Sequence, residues 1–202
     1  KTEGEMKSAE EILQQALRYK RYWGKKGGIT VSGGEALLQI DFVTELFTLA
    51  KEKGVNTCLD TSGNPFTREE PFYSKFEKLM EVTDLFMLDI KEIDEDEHKK
   101  LTGQTNKNIL DMATCLSDHG KAMWIRHVLV PGITDDDGQL HRLRAFIDTL
   151  KTVERVEILP YHTLGVFKWK ELGIPYALED VEPPTKEQVE HAREIIIPGY
   201  KS

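Results

Sequence analysis

The residues best suited to chemistry stand at the ends of predicted β-strands. The first predicted strand runs into Gly33-Gly34-Glu35, the second ends at Asp60 and the third at Asp89. The fourth carries Arg126 inside an apolar run, and His162 follows the fifth. A buried ionised group is costly unless it is paired or bound. Five strand ends of this kind therefore indicate one polar site, because function gathers at the carboxyl ends of parallel strands.

These residue types fit a zwitterionic ligand that contains a ribose. The backbone of the glycine pair can approach a ligand closely and bind an ammonium or a carboxylate. The three acids that follow the first three strands suit an ammonium, a ribose or a cation, whereas Lys91 and Arg126 suit a carboxylate. The sequence has no GxxxxGK[ST] or GxGxxG phosphate loop, no GxSxG elbow and no HExxH zinc motif.

Each residue alone also has a simpler explanation. A glycine pair is typical of a tight turn, and Asp60 and Asp89 are both suited to cap a helix. Lys91 alone fits a solvated charge, Arg126 fits an internal ion pair, and His162 fits a turn. Their convergence on one edge of the sheet favours a binding site over these separate roles.

Helix and strand patterns alternate along the whole chain, which predicts an α/β fold with a parallel sheet and right-handed crossovers. Capping boxes at Ser8 and Thr185 open the first and last helices, and Asp41 is the expected cap of the second. A third helix is expected from about Thr67, and 93–108 as a polar connection. The apolar run over 84–90 predicts a strand covered on both faces. Strands are expected at 28–32, 55–60, 84–90, 122–130 and 156–160.

Composition narrows the class of protein. The 202 residues suit a single domain spanning 1–202, and 39% hydrophobic with 31% charged residues is typical of a globular chain. The net charge of −8 argues against nucleic acid as the main partner. We expect no membrane contact and a cytoplasmic location, since the sequence has no spanning apolar run and its N-terminus has no signal-peptide core.

Five segments in order carry a family resemblance: GGITVSGGEALLQ, CLDTSG, VTDLFMLDIK, MWIRHVLVPGITDDD and ILPYHTLGVFKW. Together they resemble the glycyl-radical activating enzymes of the radical S-adenosylmethionine superfamily, over residues 11–195. The resemblance implies a partial, open (β/α)6 barrel. It also implies S-adenosylmethionine, a [4Fe-4S] cluster held by CxxxCxxC, and a flavodoxin- or ferredoxin-like electron donor. The protein substrate it favours is pyruvate formate-lyase, with the ILPYHTLGVFKW segment at the contact.

The same resemblance assigns site residues by position. The expected S-adenosylmethionine site consists of Gly33, Gly34, Glu35, Asp60, Asp89, Ile90, Lys91, Arg126 and His162. The expected monovalent-cation site consists of Asp60, Thr61, Met87 and Asp89.

One departure from the family is serious. The chain contains no CxxxCxxC, and its two cysteines, Cys58 and Cys115, fall within a predicted strand and a predicted helix. We therefore expect that the first strand and the cluster loop are missing, and that this chain alone is inactive in radical generation. Three alternatives stay open: activation of another glycyl-radical enzyme, a non-redox barrel with Lys91 as Schiff-base nucleophile, and an inactive module that docks a lyase.

Overall fold

A computed structural model describes residues 4–24, 27–176 and 178–201. Its strands lie side by side in chain order, and each pairs with the next in parallel. This order confirms the predicted α/β fold and gives an open sheet with β1 and β5 at its edges. The strands are β1 Gly28–Val31, β2 Asn56–Thr61, β3 Leu85–Asp89, β4 Met123–Leu129 and β5 Val153–Pro160.

Helices connect the strands and begin at caps that the sequence encodes. Ser8 and Glu11 form the predicted capping box of the first helix, and Thr185 and Gln188 form that of the last. Asp136 caps α6 by accepting from Gln139 N at 3.0 Å. The helices are α1 Ala9–Leu17, α2 Ile40–Glu52, α3 Phe72–Glu81, α4 Glu95–Thr102, α5 Lys107–Asp118, α6 Asp137–Ile147, α7 Val166–Leu172 and α8 Lys186–Ile196.

The two faces of the sheet differ in burial. Crossovers of one hand between strands in sequential order bring the connecting helices to the same face. Accordingly, Phe86 and Leu88 of β3 are fully buried, whereas Leu85, Met87 and Asp89 are half-buried. The expectation that β3 is covered on both faces was therefore wrong, since alternate residues face a side that no crossover helix covers. We call that side the open face.

Aromatic rings fill the core between the sheet and the helices. Phe76 of α3 has no exposed surface and lies with its ring centroid 5.0 Å from that of Phe66 and 6.1 Å from that of Phe86 of β3. These edge and tilted contacts add to the apolar area that each ring buries. They fix α3 against the part of the sheet that carries the polar strand ends.

Helix α4 was not predicted, because 93–108 was expected as a polar connection. Asp94 caps this helix by accepting from the amides of Asp96 and Glu97, and Gly103 ends it with a φ of +77°. Only His98 among its residues is buried. A helix with so narrow a buried stripe gives almost no apolar periodicity to read.

Two helix starts also differ from expectation. Asp41 lies in the first turn of α2 rather than at its cap, because a 3-10 turn at Ala36–Gln39 leads directly into the helix. Helix α3 begins at Phe72 rather than near Thr67, immediately after Pro71, which takes the cap position. Within the described residues, no helix has the length and apolar character needed to cross a membrane.

We expect Phe76→Ala to lower the free energy of unfolding by about 3–5 kcal/mol, because the cavity removes buried ring contacts that cannot be replaced. Leu38→Ala is the control, since Leu38 is 75% exposed and its truncation should change stability by less than about 0.5 kcal/mol. Urea unfolding followed by circular dichroism measures both. Equal losses in the two variants would contradict this description of the core.

Candidate functional site

Arg126 lies between two carboxylates at the carboxyl end of the open face. Its Nε donates to Asp89 Oδ1 at 2.8 Å, and its Nη1 donates to Asp60 Oδ2 at 3.1 Å. Nη2 contacts a carboxylate oxygen of each acid. The side chains are 15%, 24% and 19% exposed for Arg126, Asp60 and Asp89. Residues from β2, β3 and β4 thus form one network, which we call the Arg126 network.

The Arg126 network has a net charge of −1 when its one guanidinium and both of its carboxylates are ionised. Burial raises the pKa of Asp89, although the charges of Arg126 and Lys91 act in the opposite direction. Desolvation opposes the charge on Arg126, but hydrogen bonds and charges from both acids raise the pKa of its guanidinium. A ligand with a positive group therefore gains from this environment more than an anion does.

The turn after β1 depends on backbone conformation at its two glycines. Gly33 has a φ of +92° and Gly34 a φ of +49°, which residues with a side chain rarely adopt. A Cβ built at either position has no atom within 4 Å. Conformation rather than lack of space therefore requires glycine, and the space beside the turn is open to a ligand.

Glu35 joins this turn to the end of β2. Its Oε1 accepts from Leu37 N at 3.0 Å and from Thr61 Oγ1 at 2.6 Å. Its Oε2 accepts from both the amide and the hydroxyl of Ser62, at 2.9 and 2.5 Å. The carboxylate thus already accepts four hydrogen bonds, so the groups of this turn that remain for a ligand are in the backbone of Gly33 and Gly34.

Ile90 and His162, two of the three remaining predicted residues, differ in their surroundings. Ile90 has a fully buried side chain, and its carbonyl lies 3.0 Å from His127 Nδ1. Its amide donates to the Arg126 carbonyl at 2.9 Å, so both backbone groups of Ile90 are already paired within the protein. His162 is exposed and precedes the 3-10 turn after β5. Among the described residues, no hydrogen bond joins His162 to the Arg126 network.

A cavity of about 160 Å³ adjoins the network and contains Lys91 in its wall. Asp89 belongs to both, which places the cavity beside the ends of β2 and β3. His98 of α4 also lines it, although sequence reasoning did not select this residue. The signal that was available was a histidine one turn after the cap Asp94. The lining residues are Ser62, Asn64, Asp89, Lys91, His98, Thr102, Gln104 and Ile109.

The four residues of the expected cation site lie near one another, but three of their side chains are already engaged by other residues. Arg126 already engages the carboxylates of Asp60 and Asp89, and the Thr61 hydroxyl donates to Glu35. Met87 is half-buried on the open face, opposite Asp60 in the strand register. In 4–24, 27–176 and 178–201, no group of three or more His, Cys, Asp and Glu side chains could hold a metal.

The two thiols do not form a cluster site. Cys58 is half-buried in β2 and Cys115 is buried in α5, and both are free. Burial raises the pKa of both thiols, which favours the protonated form over the thiolate that binds iron. The 202 residues therefore do not fit the CxxxCxxC ligation that the family resemblance implies.

An apolar surface follows β5. We call it the α7 patch; it consists of Leu164, Phe167, Trp169, Leu172 and Ile174, each at least 41% exposed. A groove of about 480 Å³ adjoins it, with Trp169, Tyr176, Leu101 and Ile133 in its wall. An exposed group of large apolar side chains of this kind is typical of a protein-binding surface.

The class of protein to which this chain belongs is shown by a family model that matches most of its length. Residues 1–143 match the model of the radical SAM superfamily. A domain of a pyruvate-formate lyase-activating enzyme from Bacteroides vulgatus has a similar fold, with a TM-score of 0.69 at 21% identity over 86% of this chain and 96% of that one. A radical SAM methyltransferase from Sphaerobacter thermophilus gives 0.69 at 16% identity over 96% and 56%.

Sequence relatives narrow the class. A pyruvate formate-lyase-activating enzyme of Streptococcus mutans is 57% identical over 190 residues, which are 94% of this chain and 72% of the relative. One of Listeria monocytogenes is 50% identical over 194 residues, or 96% and 78%. The chain therefore belongs to the radical SAM superfamily and, within it, to the family of the pyruvate formate-lyase-activating enzymes. This membership argues against a Schiff-base barrel built on Lys91.

We expect Arg126→Gln to lower the free energy of unfolding by about 2–4 kcal/mol at neutral pH, because two half-buried carboxylates lose their shared cation. The pKa of Asp89 is already raised above its ordinary 3.8. Protonation therefore favours the folded state, and the loss should shrink as the pH falls and return as the pH rises through the folded pKa.

Arg68→Gln is the matched control for this measurement. Arg68 pairs with Asp111 at 2.8 Å, but the two side chains are 46% and 44% exposed. Its loss should cost less than about 1 kcal/mol. Urea unfolding between pH 3 and 8 compares the variants, and an Arg126→Gln loss that is no larger than that of Arg68→Gln would contradict the site described above.

Proposed function

We propose that this chain binds S-adenosylmethionine at the carboxyl ends of β1 to β4 and serves an enzyme that forms a glycyl radical on pyruvate formate-lyase. The observation that carries the proposal is the Arg126 network, in a member of the activating-enzyme family, beside an open turn with two glycines. When bound and supplied with one electron by the donor protein, S-adenosylmethionine would provide the chemistry that removes a hydrogen atom from a glycine of the lyase.

The residues of this chain would bind and orient that cofactor. The excess negative charge of the Arg126 network favours the ammonium and sulfonium groups of S-adenosylmethionine. The backbone at Gly33 and Gly34 offers hydrogen-bonding groups to its amino acid part, and Glu35 holds that backbone in position. Lys91 beside Asp89 provides a donor for ribose or carboxylate oxygens.

We also propose that a monovalent cation binds beside the cofactor. It would use oxygens of Asp60, Thr61, Met87 and Asp89. Since Arg126 engages both carboxylates, a cation would share them with the guanidinium or require that side chain to move. Hard oxygen ligands of this kind suit potassium or sodium rather than a transition metal.

The iron–sulfur cluster needs ligands from outside these 202 residues, because both cysteines lie at separate positions in β2 and α5. Because these residues hold no cluster ligands in the family pattern, we propose that the 202-residue chain alone generates no radical. The two free thiols fit a reducing compartment, and we propose the cytoplasm.

We propose pyruvate formate-lyase as the protein partner, because the relatives are named pyruvate formate-lyase-activating enzymes. The α7 patch and its groove supply an apolar surface at the carboxyl end of β5, on the same edge of the sheet as the Arg126 network. We propose that the lyase docks there, so that its glycine reaches the cofactor. A flavodoxin- or ferredoxin-like protein is the proposed electron donor.

Electron paramagnetic resonance of the lyase tests this function. We expect a glycyl-radical signal when pyruvate formate-lyase is incubated anaerobically with reductant, S-adenosylmethionine and iron-reconstituted protein expressed from its natural reading frame. Arg126→Gln in that protein should lower the rate of lyase activation about tenfold or more, because the charge-assisted hydrogen bonds that position Asp60 and Asp89 are lost. The 202-residue chain should give no signal.

Arg68→Gln again serves as the control and should activate the lyase at the normal rate, since Arg68 lies in an exposed pair away from the Arg126 network. A missing signal with the natural protein would contradict the proposed function. A normal rate in Arg126→Gln would contradict only the proposed site.

A further inference from the structure

His98 is a buried histidine to which the proposed function gives no role. It lies on α4, is 2% exposed, and lines the cavity beside Asp89 and Lys91. Its Nδ1 is 3.3 Å from the carbonyl oxygen of Glu92. Because a carbonyl only accepts, Nδ1 carries the hydrogen in this contact.

The surroundings of the ring favour its neutral form, and the contact with Glu92 defines its tautomer. Burial lowers the pKa of His98, the contact with the Glu92 carbonyl raises it in part, and the charge of Lys91 lowers it further. With the hydrogen on Nδ1, the other nitrogen, Nε2, is an acceptor. No hydrogen bond to Nε2 comes from the described residues, and the Nδ1 edge is directed to Glu92. Nε2 is therefore the ring nitrogen left for the cavity.

Holding the Glu92 carbonyl does not require this histidine. Asn106 Nδ2 donates to the same oxygen at 3.1 Å and to the Ile93 carbonyl at 2.8 Å. The carbonyl would remain paired if His98 were replaced. Nε2 has no partner among the described residues and borders a polar cavity, so a ligand group that donates a hydrogen bond can pair with it.

We propose that Nε2 of His98 accepts a hydrogen bond from an N–H or O–H group of the adenosyl half of S-adenosylmethionine, an inference that rests on the proposed function. Lys91 can only donate, so Lys91 and His98 together offer one donor and one acceptor to the same ligand. The amides of Asn64 and Gln104 and the apolar side chain of Ile109 complete a wall that suits a polar ring.

Two substitutions separate this role from a structural one. His98→Asn places an amide near Nδ1 and keeps the contact with Glu92, but removes the acceptor at Nε2. His98→Gln places its amide near Nε2 and can keep that acceptor. We expect S-adenosylhomocysteine to bind the 202-residue chain about tenfold more weakly in His98→Asn, with an unchanged melting temperature, and about normally in His98→Gln. Isothermal titration calorimetry measures the affinity.

His119→Asn is the matched control. His119 is exposed, lies at the end of α5, and also directs Nδ1 to a carbonyl, that of Cys115 at 2.8 Å. The His119→Asn variant should bind S-adenosylhomocysteine with the affinity of the wild type. Normal binding in His98→Asn would overturn the proposal, whatever the affinity of His98→Gln. Weak binding in both variants together with a lowered melting temperature would also overturn it and assign His98 a structural role. A wild-type chain that binds no S-adenosylhomocysteine would overturn the proposed function as well.

S-inosylhomocysteine, which lacks the purine amine, identifies the donor. If the wild type prefers the adenosyl ligand and His98→Asn does not, the donor is the purine amine. If His98→Asn weakens both ligands equally, the donor is a ribose hydroxyl; either result supports the proposal. Nitrogen-15 spectra of the free chain check the tautomer independently, since a hydrogen on Nε2 of His98 would overturn it.

Discussion

The candidate site depends on one guanidinium that two acids share. Arg126 on β4 reaches Asp89 on β3 and Asp60 on β2, although Asp60 is 66 residues away in sequence. This is possible because adjacent parallel strands bring their carboxyl ends to one edge, and the three residues face the same side of the sheet. The guanidinium makes the burial of two carboxylates tolerable, and the remaining negative charge is what favours a cationic ligand.

Buried polar contacts hold the loops around this network in position. Glu35 joins the glycine turn after β1 to the end of β2, and Asn106 joins the start of α5 to the backbone after β3. His127 lies between the carbonyls of Ile90 and Thr134, each at 3.0 Å, and so connects the segments after β3 and β4. The strand ends are therefore supported from the covered face while the open face remains free for a ligand.

Much of this arrangement was predictable from the sequence. The alternation of strands and helices along the chain, both capping boxes and the polar strand ends follow from local sequence patterns. Helix α4 was missed because its one buried residue, His98, gives no periodicity. The four hydrogen bonds to Glu35 and the wall of the 160 Å³ cavity combine residues far apart in sequence, so no local pattern encodes them. The half-burial of Met87 was also not predictable, because it depends on which face of the sheet the helices cover.

A crystal structure of the 202-residue chain with S-adenosylhomocysteine would show whether the Arg126 network and the glycine turn bind the cofactor. We expect ligand density at the carboxyl ends of the strands, with polar atoms within about 3.2 Å of the backbone at Gly33 or Gly34 and of a side chain of the Arg126 network. Ligand bound at another surface, with no contact to the Arg126 network, would show that this network is not the binding site.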